Sequence, residues 1–82
     1  MTEQQREQAG VAYRQAVSMG KPGKRYFAVT KMVHALGRLG LNEAEAGGYV
    51  EAFANAVHQD EAPEVTKKMA MGVLRSAYKL HY

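Results

Sequence analysis

The spacing of apolar residues between positions 29 and 39 constrains the fold of this chain more strongly than any other feature. From Val29, large apolar side chains recur three, four, seven and ten positions later, which is the repeat of one face of an α-helix. The rest of the chain has no sustained alternation of apolar and polar residues and no Asn-Gly or Asp-Gly pair, which are the usual signals of strands and hairpins. The sequence therefore predicts an all-α fold.

Capping signals divide the chain into four predicted helices. Thr2 with Gln5, and Asn42 with Glu45, have the residue types and the spacing of a capping box. Pro63 suits the first turn of a fourth helix, because the N–H that proline lacks has no helical partner there. The predicted helices span about residues 3–19, 25–39, 43–58 and 63–80.

Two glycines predict where the first two helices end. At Gly20 and at Gly40 we expect the left-handed backbone conformation that is common just after a helix. Leu41 follows Gly40 and predicts a Schellman motif, in which the leucine folds back onto the last turn of the second helix.

Short connections place the four helices in one domain, which comprises residues 1–82. Such connections favour antiparallel neighbours, so we expect a compact bundle or an orthogonal array of four short helices. A core of three helices with a loosely docked first helix is the alternative. A domain of this size buries only roughly 60% of its unfolded-chain surface, so we also expect stabilisation by a partner or by homo-oligomerisation.

The fourth helix has more apolar positions than one narrow stripe holds. This pattern predicts a helix that is central to the core or is shared with another subunit. One face comprises Val65, Met69, Val73, Ala77 and Leu80, and a second face comprises Met71, Leu74 and Tyr78.

The composition predicts a soluble, cytoplasmic protein without a cofactor. The chain has no Cys, which excludes disulfides and thiolate metal sites and fits a reducing compartment. Its first residues lack the apolar segment of a signal peptide, and no apolar run approaches the roughly 18 residues of a membrane span. His34, His58 and His81 lack the spacing of a metal motif, so we expect no metal.

The residue types that enzymes use are sparse, so we predict that this protein is not an enzyme. The chain has one Asp and two Ser residues, and no spacing joins a nucleophile to a base. Four short helices rarely enclose a substrate pocket, so we expect no small-molecule substrate.

Charge is divided into blocks along the chain. The net charge is +3, but residues 21–40 carry five cations and no anion, whereas residues 41–62 carry five anions and no cation. Such blocks predict either a polyanion partner or pairing between the blocks, within the fold or between copies. The five cations are Lys21, Lys24, Arg25, Lys31 and Arg38.

Three of these cations precede or begin the predicted second helix. Cations near a helix N-terminus oppose the macrodipole by roughly 0.3–1 kcal/mol each, so Lys21, Lys24 and Arg25 call for a compensating anion. Free backbone amides together with Lys and Arg suit a phosphate or a carboxylate. Tyr26 and Phe27 stand next to the cations, where aromatic rings stack on bases, although we expect Phe27 to belong to the core.

The second helix also carries a basic stripe. Lys24, Lys31 and Arg38 are spaced by seven residues and lie, with His34, opposite the apolar stripe. Such a stripe is typical of contact with a nucleic-acid backbone. We therefore predict a non-enzymatic binding protein that contacts a polyanion, with nucleic acid favoured, through its basic loop and helix face at 21–38. Cations of the fourth helix extend this patch if that helix lies alongside: Lys67, Lys68 and Arg75.

Two known phosphate- and DNA-binding motifs do not fit. Residues 20–25 contain glycines and a lysine but lack the spacing and the Ser or Thr of a P-loop. The second and third helices have the outline of a helix-turn-helix. The would-be recognition helix, however, carries Glu43, Glu45 and Glu51 and has no Arg, Lys or Gln to read bases. We therefore expect contacts to phosphates rather than to base edges.

The alternative is a protein-binding regulator or inhibitor that makes no contact with nucleic acid. Small residues recur at every fourth position of the third helix from Ala44 to Ala56, which allows close approach of another helix. With the surplus apolar surface of the fourth helix and the opposed charge blocks, this stripe favours a second copy or another protein, for example one with an acidic surface. The predicted interface residues are Gly48, Tyr49, Ala52, Met71, Leu74 and Tyr78.

Overall fold

A computed structural model describes residues 1–57 and 63–82, and all the regular structure in these residues is helical. The helices are α1 (Glu3–Met19), α2 (Arg25–Arg38), α3 (Glu43–Ala56) and α4 (Pro63–Leu80). This architecture confirms the predicted all-α fold of four short helices. The predicted polar connection at 58–62, and with it the predicted last residue of the third helix, lies outside the described residues. None of the described helices combines the length and apolarity needed to span a lipid bilayer.

Both predicted capping boxes are present. At the beginning of α1, the Gln5 amide donates to Thr2 Oγ1 (3.0 Å) and the Thr2 amide donates to Gln5 Oε1 (2.7 Å). At the beginning of α3, the Glu45 amide donates to Asn42 Oδ1 (2.8 Å) and the Asn42 amide donates to Glu45 Oε1 (2.9 Å). Two amides that lack helical partners are satisfied at each helix, so these ends are encoded locally.

The predicted Schellman motif ends α2. Gly40 has φ +89°, its amide donates to the Gly37 carbonyl (3.0 Å), and the Leu41 amide donates to the Leu36 carbonyl (3.2 Å). This pair of bonds defines the motif. Leu41 is buried, as expected from its position after the glycine.

The prediction of a left-handed Gly20 is wrong. Gly20 has φ −78°, a value that any residue adopts. Glycine is needed there for space instead, because a Cβ would lie 2.9 Å from Val57 Cγ1 and 3.2 Å from Phe53 Cε2. The end of α1 therefore packs directly against the end of α3, a contact that no local pattern reports.

The connection between α1 and α2 is a tight turn. Gly23 has φ +85°, and the Lys24 amide donates to the Lys21 carbonyl at 2.8 Å. Proline at the second position of the turn and a left-handed glycine at the third are the signature of a type II turn, which Pro22 and Gly23 supply. The turn fixes where the cations of this segment stand relative to α2.

Two helices, α2 and α3, each pack against all three other helices, whereas α1 and α4 do not contact each other in the described part of the chain. Docking of α1 against α2 and α3 rules out the loosely attached first helix. The predicted apolar stripe of α2 is confirmed except at its end, where Leu39 is only half-buried. The largest core side chains are Val29, Met32, Val33, Leu36, Val50, Phe53 and Leu74.

The predicted apolar face of α4 is partly wrong. Val65 is 57% exposed and Leu80 is 73% exposed, so both ends of the predicted face lie at the surface. The buried stripe of α4 is narrower than predicted and consists mainly of small side chains, because α2 and α3 both pack closely on that side. This buried stripe comprises Thr66, Ala70, Leu74 and Ala77.

Candidate nucleic-acid interface

The solvent face of α2 carries three of the predicted anion-binding residues. Lys24, Lys31 and Arg38 are exposed, and their spacing of seven residues places them on one side of the helix. His34 lies between them and is half-buried. The structure therefore brings the predicted stripe together, and Lys21 stands beside it in the preceding turn.

These cations make no ion pair with any carboxylate in residues 1–57 and 64–82. The acids of α3 have other partners: Glu45 lies 3.6 Å from the Met1 amino group, and Glu51 lies 3.5 Å from Lys67 Nζ. Internal pairing of the basic block with the acidic block is therefore not seen for the described acids. Asp60 and Glu61, which complete the acidic block, lie outside the described residues.

The first turn of α2 carries no acid, and Lys24 at its N-cap position makes no side-chain capping bond. The amides that begin a helix lack backbone partners, and they carry the positive end of the helix dipole. The cations of the turn and these amides therefore both contribute positive electrostatic potential at the N-terminus of α2.

Arg25 differs from the other four predicted anion ligands, because it is buried. Only 9% of the residue is exposed, and its Nε donates to the Gly20 carbonyl at 3.1 Å. Its guanidinium thus ties the beginning of α2 to the end of α1. The structure assigns Arg25 to the fold of the turn rather than to the solvent face.

Two aromatic rings stand among the cations. Tyr26 is 65% exposed and Phe27 is 56% exposed, so the expectation that Phe27 belongs to the core is wrong. Phe27 is displaced outward because Arg25 and Ala28 occupy the buried side of the first turn. Lys31 Nζ lies 5.7 Å from the centre of the Phe27 ring, a cation–π distance.

The three α4 residues predicted to extend the patch do not share one environment. Lys68 and Arg75 are exposed and seven positions apart, whereas Lys67 pairs with Glu51 of α3 on another side of the helix. Lys79 also belongs to this exposed side, four positions after Arg75, and was missed. The interval of four residues is the signal that identifies it.

A groove separates the exposed sides of α2 and α4. It has a volume of about 440 Å³. Tyr26, Thr30 and His34 line it from α2. The residues that line it from α4 and the chain end are Met69, Gly72, Val73, Ser76, Ala77, Leu80 and His81.

The residues predicted for a protein interface are divided between core and surface. Leu74 is buried, and the Tyr78 hydroxyl donates to the Leu41 carbonyl at 2.7 Å. Burial, and then the neighbouring charges of Tyr82, Glu45 and Glu43 when ionised, raises the pKa of Tyr78. Gly48 and Ala52 are exposed, whereas Tyr49 and Met71 are half-buried.

The small-residue stripe of α3 is likewise at the surface. From Ala44 to Ala56 all four of its members are exposed, and the Tyr13 hydroxyl of α1 donates to the Ala52 carbonyl at 3.4 Å. The side chain of Leu74 in α4 lies beside Gly47 instead, where an added Cβ would make an ordinary van der Waals contact with Leu74 Cδ2 at 3.5 Å.

Histidines and acids do not assemble into a metal site within residues 1–57 and 64–82. His34 and His81 stack at 5.5 Å between ring centres, and His34 Nδ1 lies 3.0 Å from the Tyr82 hydroxyl. These rings close one end of the groove. His58 lies outside the described residues.

Comparison of this chain with protein-family models, with curated proteins and with solved structures gives no match. The fold and the site by themselves define an all-α chain that presents exposed cations on α2 and α4 and two exposed aromatic rings on α2.

Proposed function

We propose that this protein binds nucleic acid without acting on it as an enzyme, through phosphate contacts on the joint surface of α2 and α4. The observation that carries this proposal is the set of exposed cations without an ion-pair partner among the described residues. We assign the phosphate contacts to Lys21, Lys24, Lys31, Arg38, Lys68, Arg75 and Lys79.

The charge arrangement supports a polyanion rather than a single small anion. The exposed cations are distributed along two packed helices, so a ligand that meets all of them must present several negative charges in a row. A phosphate backbone does so, and each neutralised phosphate releases condensed counterions. Exposed aromatic rings between the cations add base stacking, which an acidic protein surface does not offer.

The α3 helix supports contact with phosphates rather than reading of the major groove. Its first turn carries Glu43 and Glu45, and its N-cap bonds are made by its own side chains. A helix with that beginning repels the backbone it would have to approach in a helix-turn-helix. Specificity for a base sequence is therefore not part of the proposal.

Fluorescence anisotropy with labelled mixed-sequence DNA and RNA, at low and at physiological salt, tests the proposal. Seven phosphate contacts give a slope of about −5 to −6 for the logarithm of the affinity against the logarithm of the salt concentration. The double variant Lys31→Glu/Arg38→Glu should lose about tenfold or more in affinity and reduce the slope by about 2.

The matched control is Arg6→Glu/Arg14→Glu. It changes the net charge by the same amount, and both arginines are exposed on α1, which does not contact α4 in the described part of the chain. Equal loss of affinity in both double variants would show that the affinity depends only on the net charge of the protein. That result would contradict the assignment of the phosphate contacts to α2 and α4. Absence of binding at low salt by the wild-type protein would leave an acidic protein surface as the partner to pursue.

Homo-oligomerisation stays a prediction. Sedimentation velocity of the same protein samples checks it, and it also shows whether the binding unit is one chain or several.

A further inference from the structure

We propose that the groove between α2 and α4 takes unpaired bases, so that the preferred ligand is single-stranded nucleic acid. This inference rests on the proposed function and adds to it the class of nucleic acid and the place where its bases lie. The phosphates then contact the exposed cations of the two helices.

The groove has the dimensions and lining of a ligand site. Its volume of about 440 Å³ lies within the range of about 300–1,000 Å³ that is usual for such sites. Met69, Val73 and Leu80 supply an apolar wall from α4, and the exposed Tyr26 ring supplies an aromatic wall from α2. Apolar and aromatic surfaces of this kind bind the faces of bases.

None of the described residues that line the groove is a cation, but both helices that form it carry exposed cations on their outer sides. On α2, Lys31 lies over the exposed Phe27 ring and also lines a crevice against α1. On α4, Lys68, Arg75 and Lys79 share the exposed surface of the helix. A strand that lays its bases into the groove therefore has exposed positive charge on either helix for its phosphates, and this charge complementarity selects a nucleic acid over a neutral apolar ligand.

Hydrogen-bonding groups are placed at one end of the groove. The rings of His34, His81 and Tyr82 lie within 5.5–6.0 Å of one another, and the two histidines line the groove. The Thr30 hydroxyl donates to the Tyr26 carbonyl at 2.7 Å and so is already occupied by the fold. His34 Nδ1 is likewise occupied by the Tyr82 hydroxyl at 3.0 Å. His34 Nε2, the His81 ring and Ser76 stand beside the apolar wall, where they can bond the edge of an unpaired base.

Duplex nucleic acid fits this surface less well. In a duplex the faces of the bases are stacked on one another, and only the backbone and the groove edges are presented to a protein. The aromatic and apolar wall then has no partner, and only the phosphate contacts remain. Single-stranded ligands gain the stacking contribution that duplex ligands lack.

Two glycines provide a matched pair of test variants. A Cβ added at Gly72 meets nothing within 4 Å, and neither does a Cβ added at Gly48. Gly72 lines the groove, whereas Gly48 is exposed on α3 away from it. Gly72→Leu therefore fills the groove and Gly48→Leu does not, and both changes favour the helix by removing a glycine. Far-ultraviolet circular dichroism verifies that both variants fold.

The experiment compares a labelled single-stranded 20-nucleotide DNA with the duplex of the same sequence by fluorescence anisotropy. The wild-type protein should prefer the single strand. Gly72→Leu and Tyr26→Ala should each weaken single-strand binding by roughly 5- to 100-fold, which is the value of one stacked base, and leave duplex binding within about twofold. Gly48→Leu should change neither affinity.

Two results would overturn the inference, and they are distinguishable from each other. Equal wild-type affinity for the single strand and the duplex, with no effect of Gly72→Leu, excludes the groove and leaves the proposed phosphate contacts standing. Absence of wild-type binding to either nucleic acid at low salt overturns the proposed function together with the inference.

Discussion

The beginnings of α2 and α3 differ in how the unpaired amides and the positive end of the helix dipole are compensated. Both helices have 14 residues. At α3, Asn42 and Glu45 form a capping box and two glutamates lie in the first turn, so the chain satisfies its own amides and dipole. At α2, Lys24 caps nothing, no acid lies in the first turn, and Arg25 follows.

The difference shows which helix beginning is stabilised locally and which depends on tertiary packing. Both helices pack against all three others, but α2 buries six residues, Arg25 in its first turn among them, whereas α3 buries four. Burial of several apolar side chains, each contributing about 1.5–3 kcal/mol, outweighs cations that cost roughly 0.3–1 kcal/mol each. The core therefore permits α2 to keep a positive N-terminus that local sequence alone would disfavour.

The strongest test of this contrast is Arg25→Ala. If tertiary contacts hold the beginning of α2, loss of the buried Arg25–Gly20 hydrogen bond should lower the free energy of unfolding by about 1.5–3 kcal/mol. Urea denaturation monitored by circular dichroism measures this change. Lys21→Ala is the control, because Lys21 is exposed and should be neutral within about 0.5 kcal/mol. Equal stability of the two variants would contradict the assignment of Arg25 to the fold.

The next effect is expected at the opposite helix. Asn42→Ala removes a cap of α3 and should lower the free energy of unfolding by about 1 kcal/mol. The same substitution at the N-cap of α2, Lys24→Ala, removes no capping bond and should not destabilise the protein. Denaturation midpoints of the two variants test the contrast directly, and similar losses would show that the two helix beginnings do not differ as described.

A tertiary bond also supports the turn before α3. Tyr78→Phe removes the hydrogen bond to the Leu41 carbonyl and should lower the free energy of unfolding by about 0.5–1.5 kcal/mol. Because the pKa of Tyr78 is raised in the folded state, the unfolded chain ionises first at high pH. Wild-type stability should therefore be unaffected by this group below about pH 10 and should fall as the pH rises above it. The fall should be shallower in the variant, and identical pH profiles would contradict this origin.

The smallest expected change comes from giving α2 the acidic first turn that α3 has. Phe27 is exposed, and Phe27→Glu places a carboxylate near the N-terminus of α2. Relative to Phe27→Gln, which loses the same ring without adding charge, it should raise the free energy of unfolding by about 0.3–1 kcal/mol. It should also bind nucleic acid more weakly than the Gln variant. A gain of stability without any loss of affinity would separate this helix end from the proposed phosphate contacts.

Much of the fold was predictable because it is encoded over short distances. In the capping boxes, the Schellman motif and the apolar stripe of α2, successive residues are no more than about five positions apart, so each pattern can be read directly from the sequence. The basic stripe was predictable for the same reason, since a spacing of seven residues fixes one face of a helix whatever that helix packs against.

The remaining features depended on which helices meet. Gly20 is small because the end of α3 lies against it, and no pattern near Gly20 contains that information. Phe27 and Leu80 are apolar yet exposed, because the partners of α2 and α4 cover only one flank of each helix. The groove exists because α2 and α4 lie side by side, so its lining combines residues about 40 positions apart in the chain.

The sequence by itself determined the four described helices, where each begins, and the cations that share the face of α2. Hydrogen bonds and side-chain neighbours within one helix decide these features. Only the tertiary structure decided that Arg25 turns inward, that Lys67 pairs with Glu51, and that Met69 and Val73 of α4 stand across a groove from Tyr26. Contacts within one helix do not decide which of its faces is buried. The close packing of separate helices makes that choice.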